Sequence, residues 1–200
     1  ELSVSVFGKE LQLRLQLPGT HNVMNALAAL SAAIALDVDV EKAAQGLAGF
    51  TPMPMRFEQV QLANGARLVN DSYNANPHSM LEAFRTVSSA KRAGRFVAVL
   101  GDMLELGEQA KKLHYELGEQ AVQMGVNQIY VVGDFAKDII NGARSAGFKN
   151  GNAQHFASLE ELQEVACHEI KSGDVFLIKG SRSMQMERVA EYLKLRIGTG

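Results

Sequence analysis

From residue 57 onward the chain alternates short, uninterrupted apolar runs with longer segments of helical period. Phe96-Val97-Ala98-Val99-Leu100 and Val175-Phe176-Leu177-Ile178 carry no polar side chain, and Gln128-Ile129-Tyr130-Val131-Val132 is nearly as apolar. Strands apolar on both faces need cover on both faces, which means a parallel sheet with helices above and below. The pattern predicts strands at 57–62, 67–69, 96–100, 128–132, 153–156 and 175–178. Between them it predicts helices at 78–91, 108–124, 136–146 and 159–170, with a last helix at 184–195. The expected fold is a doubly wound, mostly parallel α/β domain spanning 53–200.

Residues 1–52 have a different texture. Segments 3–7 and 11–17 alternate apolar and polar side chains, the mark of a hairpin with one buried face, with Gly8-Lys9-Glu10 as its turn. An alanine-rich helix follows to about residue 36, with Thr20 or Asn22 as its expected cap. A second helix is expected at 41–47. Thr51-Pro52-Met53-Pro54-Met55 then suits a linker, because two prolines remove backbone donors and stiffen the chain.

Bulk numbers exclude several classes. A net charge of −2 gives no footprint for nucleic acid or an anionic membrane. The longest apolar run, 26–36, is too short for a membrane span. One cysteine, Cys167, excludes an internal disulfide framework and reads as packing rather than as a nucleophile. The five histidines show no metal-ligand spacing. There is no Gly-x-Gly-x-x-Gly, no Gly-x4-Gly-Lys-Ser/Thr and no Gly-x-Ser-x-Gly, so a dinucleotide oxidoreductase and an α/β-hydrolase are both poorly supported.

Ligands of such sheets bind at the carboxyl ends of the strands. The turns expected there are Asp71-Ser72-Tyr73-Asn74-Ala75-Asn76, Gly101-Asp102-Met103, Gly133-Asp134 and Lys179-Gly180-Ser181-Arg182-Ser183. The first is either an Asx-turn capping the next helix or part of a binding site. The last, cationic and just before a helix, suits an anion or is simply a serine-capped turn. His21, Asn22 and Asn25 share the first turn of a helix, where carboxamides either cap it or read the edge of a base.

Five stretches in order carry a resemblance. They are Leu17-Pro18-Gly19-Thr20-His21-Asn22-Val23-Met24-Asn25-Ala26, Met55-Arg56-Phe57-Glu58, Asp71-Ser72-Tyr73-Asn74-Ala75-Asn76-Pro77, Val99-Leu100-Gly101-Asp102-Met103-Leu104-Glu105-Leu106-Gly107 and Ile178-Lys179-Gly180-Ser181-Arg182-Ser183-Met184. Together, over essentially the whole chain, they resemble the Mur ligases of peptidoglycan synthesis, in the forms that add D-alanyl-D-alanine to UDP-N-acetylmuramoyl-tripeptide. The resemblance implies that 1–52 are the end of a central ATPase domain and 53–200 the Rossmann-like C-terminal domain. The phosphate-binding loop, the magnesium ligands with their carbamylated lysine, and the UDP-binding domain would lie upstream.

It also implies a cytoplasmic, monomeric, ATP- and Mg2+-dependent ligase working through an acyl phosphate, with no nucleic-acid or membrane partner. By matching position, His21, Asn22 and Asn25 would contact the adenine and Arg56 the ATP phosphates. Asp71 would hold the ribose, with Tyr73 and Asn74 at the nucleotide edge. Lys179 and Arg182 would serve the reaction centre, and Asn76, Asp102 and Ser181 the substrate side. The 200 residues alone are expected to be inactive. The rival reading is a non-catalytic nucleotide-binding or interaction module of the same fold.

Overall fold

The computed structural model describes residues 2–16, 18–51, 53–90 and 93–200, and only the backbone of Lys9 and His21. The chain divides into two compact units, Glu1–Met53 and Pro54–Gly200. Pro52, in the expected linker, lies outside the described residues.

In the first unit, β1 (Leu2–Val6) and β2 (Lys9–Leu13) form an antiparallel hairpin in which Val6 faces Lys9. The turn is therefore the two residues Phe7 and Gly8, not Gly8-Lys9-Glu10. Both have positive φ, 48° and 79°, which matches the twist of the flanking strands. The second strand ends at Leu13 rather than running to 17. Helix α1 (Thr20–Ala35) starts after Gly19 with no side-chain cap. Asn22 instead donates to the Pro18 carbonyl at 2.7 Å, so neither Thr20 nor Asn22 caps the helix. Helix α2 (Val40–Ala48) is capped by Asp39, which accepts from the Lys42 N–H. Leu13, Leu30 and Ala44 form the small core of this unit.

The second unit holds a six-stranded sheet in the order β3 (Glu58–Gln61), β4 (Arg67–Asn70), β8 (Val175–Lys179), β5 (Phe96–Leu100), β6 (Gln128–Val132), β7 (Ala153–Phe156). Only the edge strand β3 is antiparallel to its neighbour. Helices α3 (Pro77–Ser89), α4 (Ala110–Gln123) and α5 (Ala136–Ser145) contribute to one core, α6 (Leu159–Glu169) and α7 (Glu187–Ile197) to the other. Successive strand residues divide between the two. Phe96, Ala98 and Leu100 face the first core while Val97 and Val99 face the second; Val175 and Leu177 oppose Phe176 and Ile178 in the same way. That two-sided burial is why these strands are apolar throughout.

Two helices begin later than their sequence periodicity suggests. Short 3-10 turns, Gly107–Gln109 and Arg182–Met184, precede α4 and α7. In the second case Gln185 takes the left-handed region, φ 52°, and separates the turn from the helix. The buried Met186 side chain sits against Gly101 and Gly180, where an added Cβ would lie 2.8 Å and 2.7 Å from it. The two glycines also let the ends of β5 and β8 approach, since a Cβ on Gly180 would be 3.0 Å from the Gly101 Cα.

Topology selects one place in this sheet. Strand β8 lies between β4 and β5, whose following helices α3 and α4 cover one face, while α7, which follows β8, covers the other. The chain thus leaves adjacent carboxyl ends in opposite directions and opens a crevice around the end of β8.

Candidate functional site

The last residue of β8 is Lys179, a lysine only 2% exposed. A buried ammonium is tolerable only with its donors satisfied. Its Nζ donates to Asp71 Oδ2 at 2.6 Å, to the Asn74 carbonyl at 3.0 Å and to the Asp71 carbonyl at 3.3 Å. The residue after β4 and the last residue of β8 are thereby tied across the crevice. Asp71 also accepts from the Phe57 N–H through Oδ1 at 3.0 Å. The carboxylate stays partly open to solvent, at 19% exposure.

Next to this pair, Tyr73 is exposed, and the Arg56 guanidinium lies over its ring, 4.0 Å from the centroid. Such stacking keeps the cation positioned while leaving its edge available for an anion. The Tyr73 N–H donates to the Met55 carbonyl, so the loop after β4 and the segment before β3 are joined by backbone as well. Arg182, half exposed, pairs with Glu187 at 2.6 Å and reaches the Met55 sulfur at 3.5 Å. The second carboxylate oxygen of Glu187 is buried without a hydrogen-bond partner among the described residues.

On the β5 side, the Asp102 carbonyl accepts from the Ser181 N–H and Ser181 Oγ accepts from the Leu104 N–H. The Asp102 carboxylate is buried and accepts the N–H groups of Asp134 at 2.7 Å and Phe135 at 3.2 Å. Burial pushes this carboxyl above the usual range, against the pull of those two N–H groups. Gly133 admits the arrangement, because a Cβ there would meet the Asp102 carboxylate at 2.4 Å. Asp102 thus caps a turn, though not its own: it organises the entry to α5. Beneath it lies His114, fully buried, accepting the Met103 N–H on Nε2 and bonded through Nδ1 to the Ala110 carbonyl. That geometry fixes the neutral Nδ1–H tautomer, and the ring stacks on Phe135 at 4.6 Å.

The structure therefore brings together Asp71, Asn74 and Lys179, stacks Arg56 on Tyr73, and joins Asp102 to Ser181. Asn76 takes the capping role, accepting from the Ser79 N–H at 2.8 Å while Ser79 Oγ accepts from the Asn76 N–H. Asn22 and Asn25 lie one turn apart on α1 of the first unit. The side chain of His21 lies outside the described residues. Sequence reasoning assigned no role to Glu58 or Glu187. Glu58 stands two residues after Arg56 inside a quoted motif, a signal that was legible; nothing in the local sequence marks Glu187. Among the described residues no three His, Cys, Asp or Glu side chains gather as a metal site.

Comparison with known proteins gives the family. Residues 55–182 match the family described as Mur ligase, glutamate ligase domain. The UDP-N-acetylmuramoyl-tripeptide–D-alanyl-D-alanine ligase of Bacillus subtilis (strain 168) is 32% identical, over 94% of this chain and 41% of that protein. Its namesake from Escherichia coli (strain K12) is 35% identical, over 90% of this chain and 38% of that one. The crystal structure of MurF ligase from Thermotoga maritima in complex with ADP has a TM-score of 0.80 at 26% identity, covering 98% of this chain and 43% of its own. The chain spans about two fifths of the length of these relatives.

Proposed function

Since the chain belongs to the Mur ligase family, we propose that it is the carboxyl-terminal part of an ATP-dependent ligase joining D-alanyl-D-alanine to UDP-N-acetylmuramoyl-tripeptide. The observation that supports this reading most is the crevice at β8, where the Asp71–Lys179 pair sits beside an exposed arginine stacked on an exposed tyrosine. ATP supplies the phosphoryl group that activates the tripeptide carboxylate for attack by the dipeptide amine. The residues present fit its nucleotide end. Asp71 retains solvent-facing acceptor capacity for ribose hydroxyls, Tyr73 offers a ring edge, and Arg56 carries a positive charge suited to phosphate.

Lys179 acts by holding Asp71 and Asn74 in place, since its three donors are spent on them. Ser181, tied to Asp102 and Leu104 on the β5 side, and Arg182, which reaches back to Met55, face the incoming amine and the carboxylate it attacks. Asn76 and Asp102 shape the crevice at the ends of β4 and β5. Asn22, Asn25 and His21 serve the adenine. Mg2+ belongs to the reading as well, but the described residues do not supply a donor set for it, so no step is assigned to it here. No described helix is long and apolar enough to cross a membrane. We place the full-length enzyme in the bacterial cytoplasm as a monomer, with no nucleic-acid partner.

The 200 residues lack a Gly-x4-Gly-Lys-Ser/Thr loop. Phosphoryl transfer depends on positioning and charge neutralisation by such elements. A coupled phosphate-release assay tests the reading. The chain alone, with MgATP, UDP-N-acetylmuramoyl-tripeptide and D-alanyl-D-alanine, is expected to show no turnover. The full-length protein is expected to turn over and to lose about 10- to 100-fold in kcat/KM for ATP on Arg56→Ala, the scale of one lost charge-assisted hydrogen bond to phosphate. Turnover by the chain alone, or a full-length protein that prefers a different amine, overturns it.

A further inference from the structure

The residues on either side of Arg56 are both held in the left-handed region, Met55 at φ 62° and Phe57 at φ 54°. Non-glycine residues adopt that conformation only when the surroundings impose it, and such strain collects where geometry serves a ligand. Here the imposing groups are two carboxylates. Glu58 Oε2 accepts the Met55 N–H at 3.2 Å, and Asp71 Oδ1 accepts the Phe57 N–H at 3.0 Å. The second carboxylate is anchored by Lys179, as described above. The first has an anchor of its own. Glu58 Oε1 accepts from Lys194 of α7 at 2.6 Å, and Oε2 accepts from Asn70 Nδ2 at 3.2 Å. Asn70 is buried and accepts from the buried Ser72 hydroxyl at 2.6 Å.

We propose that Glu58 is a positioning residue for Arg56: anchored by Lys194 and Asn70, its carboxylate holds the strained Met55-Arg56-Phe57 turn so that the guanidinium is presented over Tyr73 at the mouth of the crevice. The proposal rests on the reading that Arg56 meets the phosphates of ATP. It goes further by assigning a cause to the presentation. An arginine a few residues past a linker otherwise samples many rotamers, and a ligand would have to order them on binding. The clamp does that ordering beforehand. Partial burial pushes the Glu58 carboxyl up, but Lys194, the Met55 N–H and Asn70 together hold it below the usual range, so it is ionised at neutral pH. A merely structural tie between β3 and α7 needs no left-handed residues beside an arginine.

The test uses two proteins. In the 200-residue chain, proton NMR is expected to show the Arg56 side-chain signals moved upfield by the Tyr73 ring, with Tyr73→Leu removing the shift as an assignment control. Glu58→Ala is expected to return those signals at least halfway to random-coil positions and to speed exchange of the Met55 and Phe57 amides about tenfold or more. A folded Glu58→Ala chain with the shift and both amides unchanged overturns the proposal. Should that variant fail to fold, Lys194→Met removes the anchor alone. It is expected to speed Met55 amide exchange at least about threefold, and no change there overturns the proposal equally.

In the full-length ligase, Glu58→Ala is expected to raise KM for ATP about tenfold with kcat within about threefold, and Glu58→Gln to fall between it and the parent. A fall in kcat with KM unchanged overturns the positioning role. Arg56→Ala without effect on ATP use refutes the assumed contact with phosphate instead. The NMR results in the chain then still decide whether Glu58 sets the turn.

Discussion

Strand β8 is bracketed by buried ionisable residues, Asp174 just before it and Lys179 at its end, and the two ends behave differently. At the amino end, Asp174 accepts from the Arg95 N–H, Nε and Nη2 and from the Lys171 N–H, and Arg95 also donates to the Glu169 carbonyl at 2.6 Å. At the carboxyl end, Lys179 is equally buried and equally satisfied. The chemistry of burial is the same: a charge leaves water only with a partner and a full set of hydrogen bonds. What separates them is the neighbourhood. Around Lys179 the charged and aromatic groups Arg56, Tyr73 and Arg182 are exposed, and the topology opens the sheet there. A buried ion pair is thus no marker of a site until its surroundings are included.

The largest effect is expected at the amino end. Asp174→Ala leaves Arg95 and two backbone N–H groups without their acceptor and should cost about 4 kcal/mol, read by urea unfolding. In the full-length ligase it should leave KM for ATP unchanged, because the lesion is remote from the crevice. Lys179→Met should cost about 3 kcal/mol, since it strands one partly exposed carboxylate and two carbonyls rather than an arginine and two backbone N–H groups. Unlike the first variant, it should also cut turnover of the full-length ligase by about 100-fold or more, on the scale of one lost electrostatic contact. If both variants alter stability alone, the distinction between the two ends fails.

Acid sharpens the same contrast. Burial alone would raise the Asp174 carboxyl, but the Arg95 guanidinium and the backbone N–H groups of Arg95 and Lys171 bring it below the usual range. A carboxyl lowered on folding stabilises above its unfolded value, about 3.9, and that stability is lost as pH falls through the folded value. Urea midpoints should therefore fall as pH drops below about 4, and less steeply in Asp174→Asn. The smallest effect is expected at Asn76. Asn76→Ala should cost about 1 kcal/mol for the lost helix cap, and Asn76→Asp almost nothing.

Much of this was legible before any coordinates. Strands apolar along their whole length required a two-sided sheet, and each one formed where expected. The turn residues Asp71, Asp102 and Lys179 were legible as a group because strand ends in such sheets converge. What they do was not. Nothing local says that Lys179 spends all its donors on Asp71 and Asn74, because the partners are more than 100 residues away in sequence. Asp102 was readable as a turn residue at a strand end, but the N–H groups that it accepts lie at the end of the next strand in the sheet. The hairpin turn was placed too late and one residue too long because Phe7, a bulky residue, takes the left-handed position usually given to asparagine or glycine. The late starts of α4 and α7 were hidden for a similar reason. Helical periodicity continues through a 3-10 turn, and for α7 the break is a left-handed residue, Gln185, that periodicity does not mark.

The central place of β8 bears on how the protein comes into being. Its neighbours β4 and β5 are not paired with each other, and both wait for a strand that starts at Val175. During synthesis the β3–β4 pair and the β5–β6–β7 layer are therefore two half-sheets with bare edges until about a hundred further residues after β4 have left the ribosome. Late, long-range pairing of this kind slows folding and leaves open edges exposed to other chains. The step that joins the halves also inserts Lys179 between Asp71 and Asp102. Nascent chains halted before residue 175 should consequently aggregate or engage chaperones, and the crevice should appear all at once, with the closing of the sheet.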